Sequence, residues 1–340
     1  MKKILVLIAL VAGGVWLSGC SKSQTPNAPT GTNAQATTPA QAGAPAEATS
    51  PALAADSPAN LKIKWTPGKT LSMRMELNQG IDSKAPNQPD QGTLEVKLTQ
   101  DFNLSAVKKL DNGGWELALE FENQSMDVSQ GGHSLVTFDS AQSSAQETNN
   151  PVAPMLRAMI GARLEYFTDA TGKVEKMDGL DDLMKRISAV AKPQQIGMFQ
   201  QMFSEDTLKR YGSFSEALPN RMVNIGESWT TQNDIKSTIG TLGMDVNYTF
   251  KDWEQHGDRR CARVQSTGKI STKTASAAMV GAMVNVENGK ITGDFWFDPE
   301  TGMIVDAHDN QDMTLKITTR TLTMTQQLGQ KVRLWLVDAQ

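Results

Sequence analysis

Strict two-residue alternation of apolar and polar side chains is the feature that most limits what this chain can become. In Thr93-Leu94-Glu95-Val96-Lys97-Leu98 the apolar residues share one face, and in Trp115-Glu116-Leu117-Ala118-Leu119-Glu120-Phe121 the odd positions do the same. A period of two fits a pleated strand and no helix, so these runs read as antiparallel strands with one buried face. Lys109-Leu110-Asp111-Asn112-Gly113-Gly114 separates them, and Asn-Gly tolerates the positive φ of a tight hairpin turn. The pattern returns at Met244 to Trp253, turns at His256-Gly257-Asp258 and resumes at Ala262-Arg263-Val264. Further strands are expected from Lys290 to Phe297, Met303 to His308, Met313 to Thr325 and Lys331 to Val337.

Phe167-Thr168-Asp169-Ala170-Thr171-Gly172-Lys173-Val174 echoes Phe297-Asp298-Pro299-Glu300-Thr301-Gly302-Met303-Ile304, which suggests an internal duplication. Both segments place an aromatic residue at a strand end and a Thr-Gly turn before the return. Hairpin chemistry accounts for the acidic residues there, and calcium binding is the alternative. Between the halves, Leu180, Leu183, Met184, Ile187 and Val190 have helical spacing, with Asp178 as the expected cap and Lys192-Pro193 as the stop. A second helix is expected after Pro193, carrying Ile196, Phe199, Met202 and Phe203. Shorter helices are expected from Glu205 to Tyr211 and from Pro154 to Ile160. The resulting fold class is mainly β (α+β): a large curved antiparallel sheet or incomplete barrel, with the central helical segment on its concave side.

The first twenty residues set the location. Lys2 and Lys3 precede an apolar run from Ile4 to Leu17 that is short for a membrane span, and Ser18-Gly19-Cys20 closes it. The segment resembles a bacterial lipoprotein signal. The resemblance implies cleavage between Gly19 and Cys20, acylation of Cys20, and attachment of the mature protein to a membrane through lipid, with Ser21 favouring the outer membrane. Several acyl chains, at about 0.8 kcal/mol per buried CH₂, hold a protein on a bilayer where one chain does not. An ordinary export signal with a chance cysteine is the alternative. Residues 21–58 contain Ala, Thr, Pro, Gln, Ser and Gly with Leu53 as the one bulky apolar residue, so they read as a flexible tether. A coil of that length reaches roughly 30 to 40 Å. The expected organisation is a signal at 1–19, the lipidated N-terminus and tether at 20–58, a first β half at 59–178, a helical connector at 179–217 and a second β half at 218–340.

The chain carries 33 Lys and Arg against 37 Asp and Glu, and loss of Lys2 and Lys3 makes the balance more acidic, which disfavours nucleic acid as a partner. With Cys20 acylated, Cys261 has no cysteine to pair with in the chain. Within the alternating run Arg260-Cys261-Ala262-Arg263-Val264 it reads as a buried apolar side chain, with a reactive thiol as the alternative. The three histidines, His133, His256 and His308, show no metal-ligand spacing, and nucleophile-elbow, Walker and dinucleotide motifs are missing from the sequence. Asp181 and Asp182 suit a helix start better than a catalytic pair. Asp306, His308, Asn310 and Asp312 alternate along one strand face and read as a solvated strand face, with a metal site as the alternative; the calcium-loop template fails at Gln311 and Ile317.

Methionine is abundant, at 17 residues. Met184, Ile187, Met198, Phe199, Met202, Met279 and Met283 are the candidate apolar ligand surface, either lining a cavity between helices and sheet or filling irregular gaps in the core. Residues 275–284 read as an apolar lid or a buried connection.

Leu218-Pro219, Val223-Asn224-Ile225-Gly226-Glu227-Ser228-Trp229 and Phe297-Asp298-Pro299-Glu300-Thr301-Gly302 resemble a family of secreted, strand-rich bacterial proteins of uncharacterised function. The layout of anchor, tether and curved sheet with helices is also similar to the lipoprotein-carrier fold, which shelters lipid chains. Together these imply an envelope lipoprotein that binds an apolar or lipid-like ligand, or an envelope protein, without catalysis and without a cofactor or metal. A structural or docking module and a noncanonical hydrolase are the alternatives.

Overall fold

The computed structural model describes residues 57–84, 92–143, 150, 152–193, 196–197, 205, 208–209, 212–237, 240–275, 283–320 and 322–337. The signal, nearly all of the tether, Cys20, Gly19, Met198, Phe199, Met202, Met279 and most of the expected lid lie outside these residues.

Strands come in chain order as β1 (Ala59–Asn60), β2 (Thr70–Lys84), β3 (Leu94–Lys109), β4 (Trp115–Gln130), β5 (His133–Asp139), β6 (Arg163–Thr168) and β7 (Val174–Asp178). After the connector come β8 (Met222–Val223), β9 (Ser228–Ser237), β10 (Gly240–His256), β11 (Arg259–Ala275), β12 (Met283–Asp298), β13 (Met303–Thr318) and β14 (Thr323–Leu336). Two helices are described, α1 (Ala153–Met159) and α2 (Leu180–Ser188).

All the long strands join one antiparallel sheet in the order β7-β6-β4-β3-β2-β14-β13-β12-β11-β10-β9, with β5 also on β4, while β1 and β8 pair separately. The chain therefore starts in the middle of the sheet, meanders to one edge at β7, and re-enters at the opposite edge at β9. It then meanders back until β14 pairs with β2. The sheet is not closed, but it curls far enough for the connector to join its edges. Asn220 Nδ2 donates to the Thr171 carbonyl in the β6–β7 turn (3.1 Å), and Trp229 Nε1 on β9 donates to the Ala217 carbonyl (2.9 Å). An incomplete barrel is the outcome that the alternation predicts.

The inner face holds two apolar clusters. One joins β2, β3, β4 and β6 to both helices through residues such as Phe102, Leu119, Met159 and Ile187; the other joins the second half to the segment around β1 through residues such as Leu61, Val223, Phe250 and Phe297. Helix α1 follows the expected span, and Asn150 Oδ1 accepts from the backbone amides of Val152 and Ala153 at its start. Helix α2 corrects two expectations. Asp178 does not cap it: that residue ends β7 and pairs with Lys176, and Gly179, at φ 91°, takes the N-cap position. The helix also stops at Ser188, before Val190, which is exposed.

A third correction concerns the predicted strand from Met313 to Thr325. It is two strands, because Thr319 and Leu322 close a turn through mutual hydrogen bonds and β13 continues unbroken from Met303. The two echoed segments both form hairpin turns. The Asp169 carboxylate accepts from Thr171 Oγ1 and from the Thr171 and Lys173 amides, and Asp298 accepts from the Glu300 amide and Thr301 Oγ1. Burial works to raise the Asp169 carboxyl, and these donors hold it below the usual carboxylate range. Cys261 is fully buried, and burial pushes its thiol up to about 12, the behaviour of a packing residue.

Candidate functional site

Strand β13 carries two carboxylates on opposite faces. Even-numbered positions of β13 point outward and odd ones inward, so Asp306 and Asp309 lie back to back.

Outside, the sequence suggested a solvated row, but Asp306 is buried. His256 Nε2 lies 3.1 Å from Asp306 Oδ2, and His308 Nε2 lies 3.1 Å from Oδ1. Arg333 donates to both oxygens, at 3.2 and 2.8 Å. A register shift between Phe250 and Asp252 accompanies the folding of the β10–β11 tip over the sheet, which brings His256 onto Trp296 with ring centroids 4.5 Å apart. Trp296 Nε1 in turn donates to Glu254 (2.8 Å), and Arg263 bridges Glu254 and Asp294. The hydrogen bond from Trp296, opposed by burial and helped by Arg263, lowers the Glu254 carboxyl. Both histidines spend Nε2 on one saturated carboxylate, so the cluster works as a clamp on the hairpin tip. Among the described residues no group of three His, Cys, Asp or Glu is placed to hold a metal ion.

Beside this cluster, Gly80 and Gly329, paired across β2 and β14, floor a groove of about 600 Å³ lined in part by Glu95, Lys97, Asp312 and Lys331. A second groove of about 1010 Å³ adjoins it over Lys269, Glu287 and Lys290. Alternating charge signs give neither groove a preference for an anion or a cation.

Inside, a polar seam crosses the apolar face. Gln311, Gln330 and Gln79 are successive cross-strand partners on β13, β14 and β2, all buried, and Gln79 Nε2 donates to Gln330 Oε1 (3.3 Å). Gln326 lies two strand rows away, and Gln100 and Gln124 are paired across β3 and β4, again buried. The amide oxygens of Gln79, Gln124 and Gln326 are buried with no hydrogen-bond donor. Each such acceptor costs about 1–3 kcal/mol in a dry interior, so the three oxygens, which are packed too closely for water to reach, are a net cost to the folded state.

Asp309 stands on the same face. Gln311 Nε2 donates to its Oδ2 (2.9 Å), and its ladder neighbours Gly293 and Val332 carry no charge. Burial pushes its carboxyl up to about 7, against the opposing effect of the Gln311 amide. The side chain is packed round by protein yet keeps some accessible surface. Opposite it, Gly293 leaves out a side chain. Ser266 Oγ and Asp309 Oδ1 stand 2.8 and 3.2 Å from the point where a Cβ on Gly293 would be. Beyond Ser266 in the ladder comes Tyr248, whose ring stacks on Trp229 at 5.7 Å.

Three of the residues expected to form an apolar ligand surface are among the described ones. Ile187 is fully buried in the sheet–helix core, Met184 packs against that core, and Met283 is half-exposed at the start of β12, opposite Thr318. The structure does not bring Met283 together with the two helical residues. The sequence carries a signal for the seam that the alternation alone does not single out: Gln79 interrupts the apolar positions Met73, Met75, Leu77 and Ile81, and Gln330 interrupts Leu328, Val332 and Leu334.

An unclosed, strand-built body with a polar line across its apolar interior is the class of molecule this fold defines. The chain belongs to DUF6263, a family of unknown function, whose model matches residues 112–304. No curated protein sequence matches it. Among solved structures it is similar to lipovitellin, studied for its lipid–protein interactions, at 9% identity and TM-score 0.46, covering 82% of this chain and 26% of that one. The chain thus spans about a quarter of lipovitellin. It is also similar to a candidate lipoprotein of Parabacteroides distasonis (10% identity, TM-score 0.25, 78% of this chain and 97% of that one). A candidate exported protein with YmcC-like fold from Bacteroides fragilis matches at 10% identity and TM-score 0.23, with 79% and 97% covered.

Proposed function

We propose that this protein is a noncatalytic binder of an amphipathic, lipid-like ligand, held at a bacterial envelope surface by acyl chains on Cys20 and a tether ending near residue 58. The observation that carries the reading is the set of donorless amide oxygens of Gln79, Gln124 and Gln326 inside an otherwise apolar face. Apolar walls with a few placed polar groups are the general make-up of a small-molecule site, where the walls supply affinity and the polar atoms fix orientation. The outer histidine cluster is read as structural, because Asp306 ties His256, His308 and Arg333 together across the β10–β11 tip.

The test uses the chain from Ser21 onward with Cys20 omitted, which retains every described strand. Exported to a bacterial periplasm, purified without detergent and examined by native mass spectrometry, it should carry an extractable amphiphile. A clean apo mass, together with no uptake of any dodecyl amphiphile, overturns the reading.

A further inference from the structure

The inner face is supplied with acceptors and short of donors. Besides the amide oxygens of Gln79, Gln124 and Gln326, Asp309 Oδ1 and Ser266 Oγ converge over Gly293, where any side chain would meet the His308 carbonyl oxygen at 2.3 Å. Asp306, three residues earlier, is neutralised by Arg333, whereas Asp309 has one amide donor from Gln311 and no basic residue among its ladder neighbours. A buried carboxylate without a cation is normally either neutral or matched from outside the chain.

From Asp309, one row runs in register across β13, β14, β2, β3 and β4 through Val332, Leu77, Leu98 and Met126. It spans four strand spacings, about 19 Å, the length of a long alkyl chain; Val332 and Leu77 in it are buried in the core, so a chain laid along it has to part them from the residues that cover them. Leu98 and Met126 on this row keep accessible surface.

On the footing of the ligand-binding role proposed for the same face, we infer that the ligand is an amphipathic amine. Its ammonium group donates to Asp309 Oδ1 and Ser266 Oγ above Gly293, and its alkyl chain follows Leu77, Leu98 and Met126. Charge-assisted hydrogen bonds from an ammonium to a desolvated carboxylate are about twice as strong as neutral ones, so the headgroup decides selection as well as orientation. A fatty-acid carboxylate at the same place would face Asp309 with like charge and bring no donor. Burial already holds the Asp309 carboxyl near neutrality, so a cation that favours its ionised form draws on a large change in that group's environment.

The probes are dodecylamine, dodecanol and dodecanoate below their micellar concentrations, titrated at pH 8 into the chain from Ser21 onward with calorimetric readout. Dodecylamine should bind at least ten-fold more tightly than the other two. Asp309→Asn, which keeps shape and removes charge, should abolish that preference while dodecanol binding stays within about two-fold. Ser266→Ala should weaken the amine alone, by roughly five-fold. Circular dichroism and thermal melting check that both variants fold. Equal binding of all three probes, unmoved by Asp309→Asn, overturns the headgroup assignment and leaves the lipid-like ligand standing. Binding of none overturns both.

Discussion

Asp306 and Asp309 sit three residues apart on one strand and face opposite ways, and they solve the problem of a buried charge differently. Asp306 is surrounded by donors: two imidazoles and a bidentate guanidinium. Asp309 has one amide. A carboxylate completed from within the chain locks elements together, here the β10–β11 tip onto β12 and β13. One left incomplete raises the free energy of the empty protein and reserves that energy for whatever completes it. The outer carboxylate is completed from within the chain, and the inner one is held by a single amide.

The strongest way to break this contrast is to remove Arg333. Arg333→Leu should cost about 2–3 kcal/mol, below the full figure for a severed buried pair because Arg333 is half-exposed and both histidines remain; urea unfolding at pH 7.5 measures it. A loss under about 0.5 kcal/mol would mean that Asp306 is not held as described.

Asp309→Asn should do the reverse. The folded state keeps the Asp309 proton up to about pH 7, while the unfolded chain releases it near its ordinary value of about 4. Between those limits the native state binds more protons, so this residue makes stability fall as pH rises from about 4 to 7, with the loss complete above. The variant should be more stable than the parent at pH 8 by a few degrees in Tm, and the difference should vanish toward pH 4. Tm against pH for both proteins decides it, and a parent more stable at pH 8 would contradict the uncompensated charge.

His256→Phe keeps a ring against Trp296 and removes one donor from Asp306. A loss of about 1 kcal/mol is expected, less than for Arg333. The smallest effect belongs to Gln124→Met, which removes a donorless amide oxygen from the inner face and should raise stability by under about 1 kcal/mol while weakening ligand capture.

Much of the architecture is legible in the sequence because a curled sheet repeats one physical rule. Leu94, Val96 and Leu98, or Leu117, Leu119 and Phe121, place themselves by parity, and Asn112-Gly113 and Gly257 mark turns that form. Helices α1 and α2 follow from apolar spacing, whereas the Asp178 cap fails because β7 extends through that residue and local sequence does not reveal where a strand stops pairing. The break at Thr319 is hidden by a threonine-rich run that alternates on both sides of it. The Asp306 cluster depends on His256 and Arg333, which are 50 and 27 residues away, so no local pattern contains it. The inner seam is of another kind: Gln79, Gln311 and Gln330 stand at apolar parity and are visible once β2, β13 and β14 are aligned, but glutamine is usually read as a surface residue.

The pairing of β14 with β2 carries a consequence for biogenesis. The first long strand waits for the last one, so a chain emerging N-terminus first cannot finish its sheet until the final stretch has been delivered. Sequence-distant pairing of this sort slows folding, and a product cut short before Thr323 would leave β2 and β13 as raw edges facing each other across a missing strand. Completion of the body thereby reports that synthesis has run to the end, and a copy cut short presents two unpaired edges to other chains.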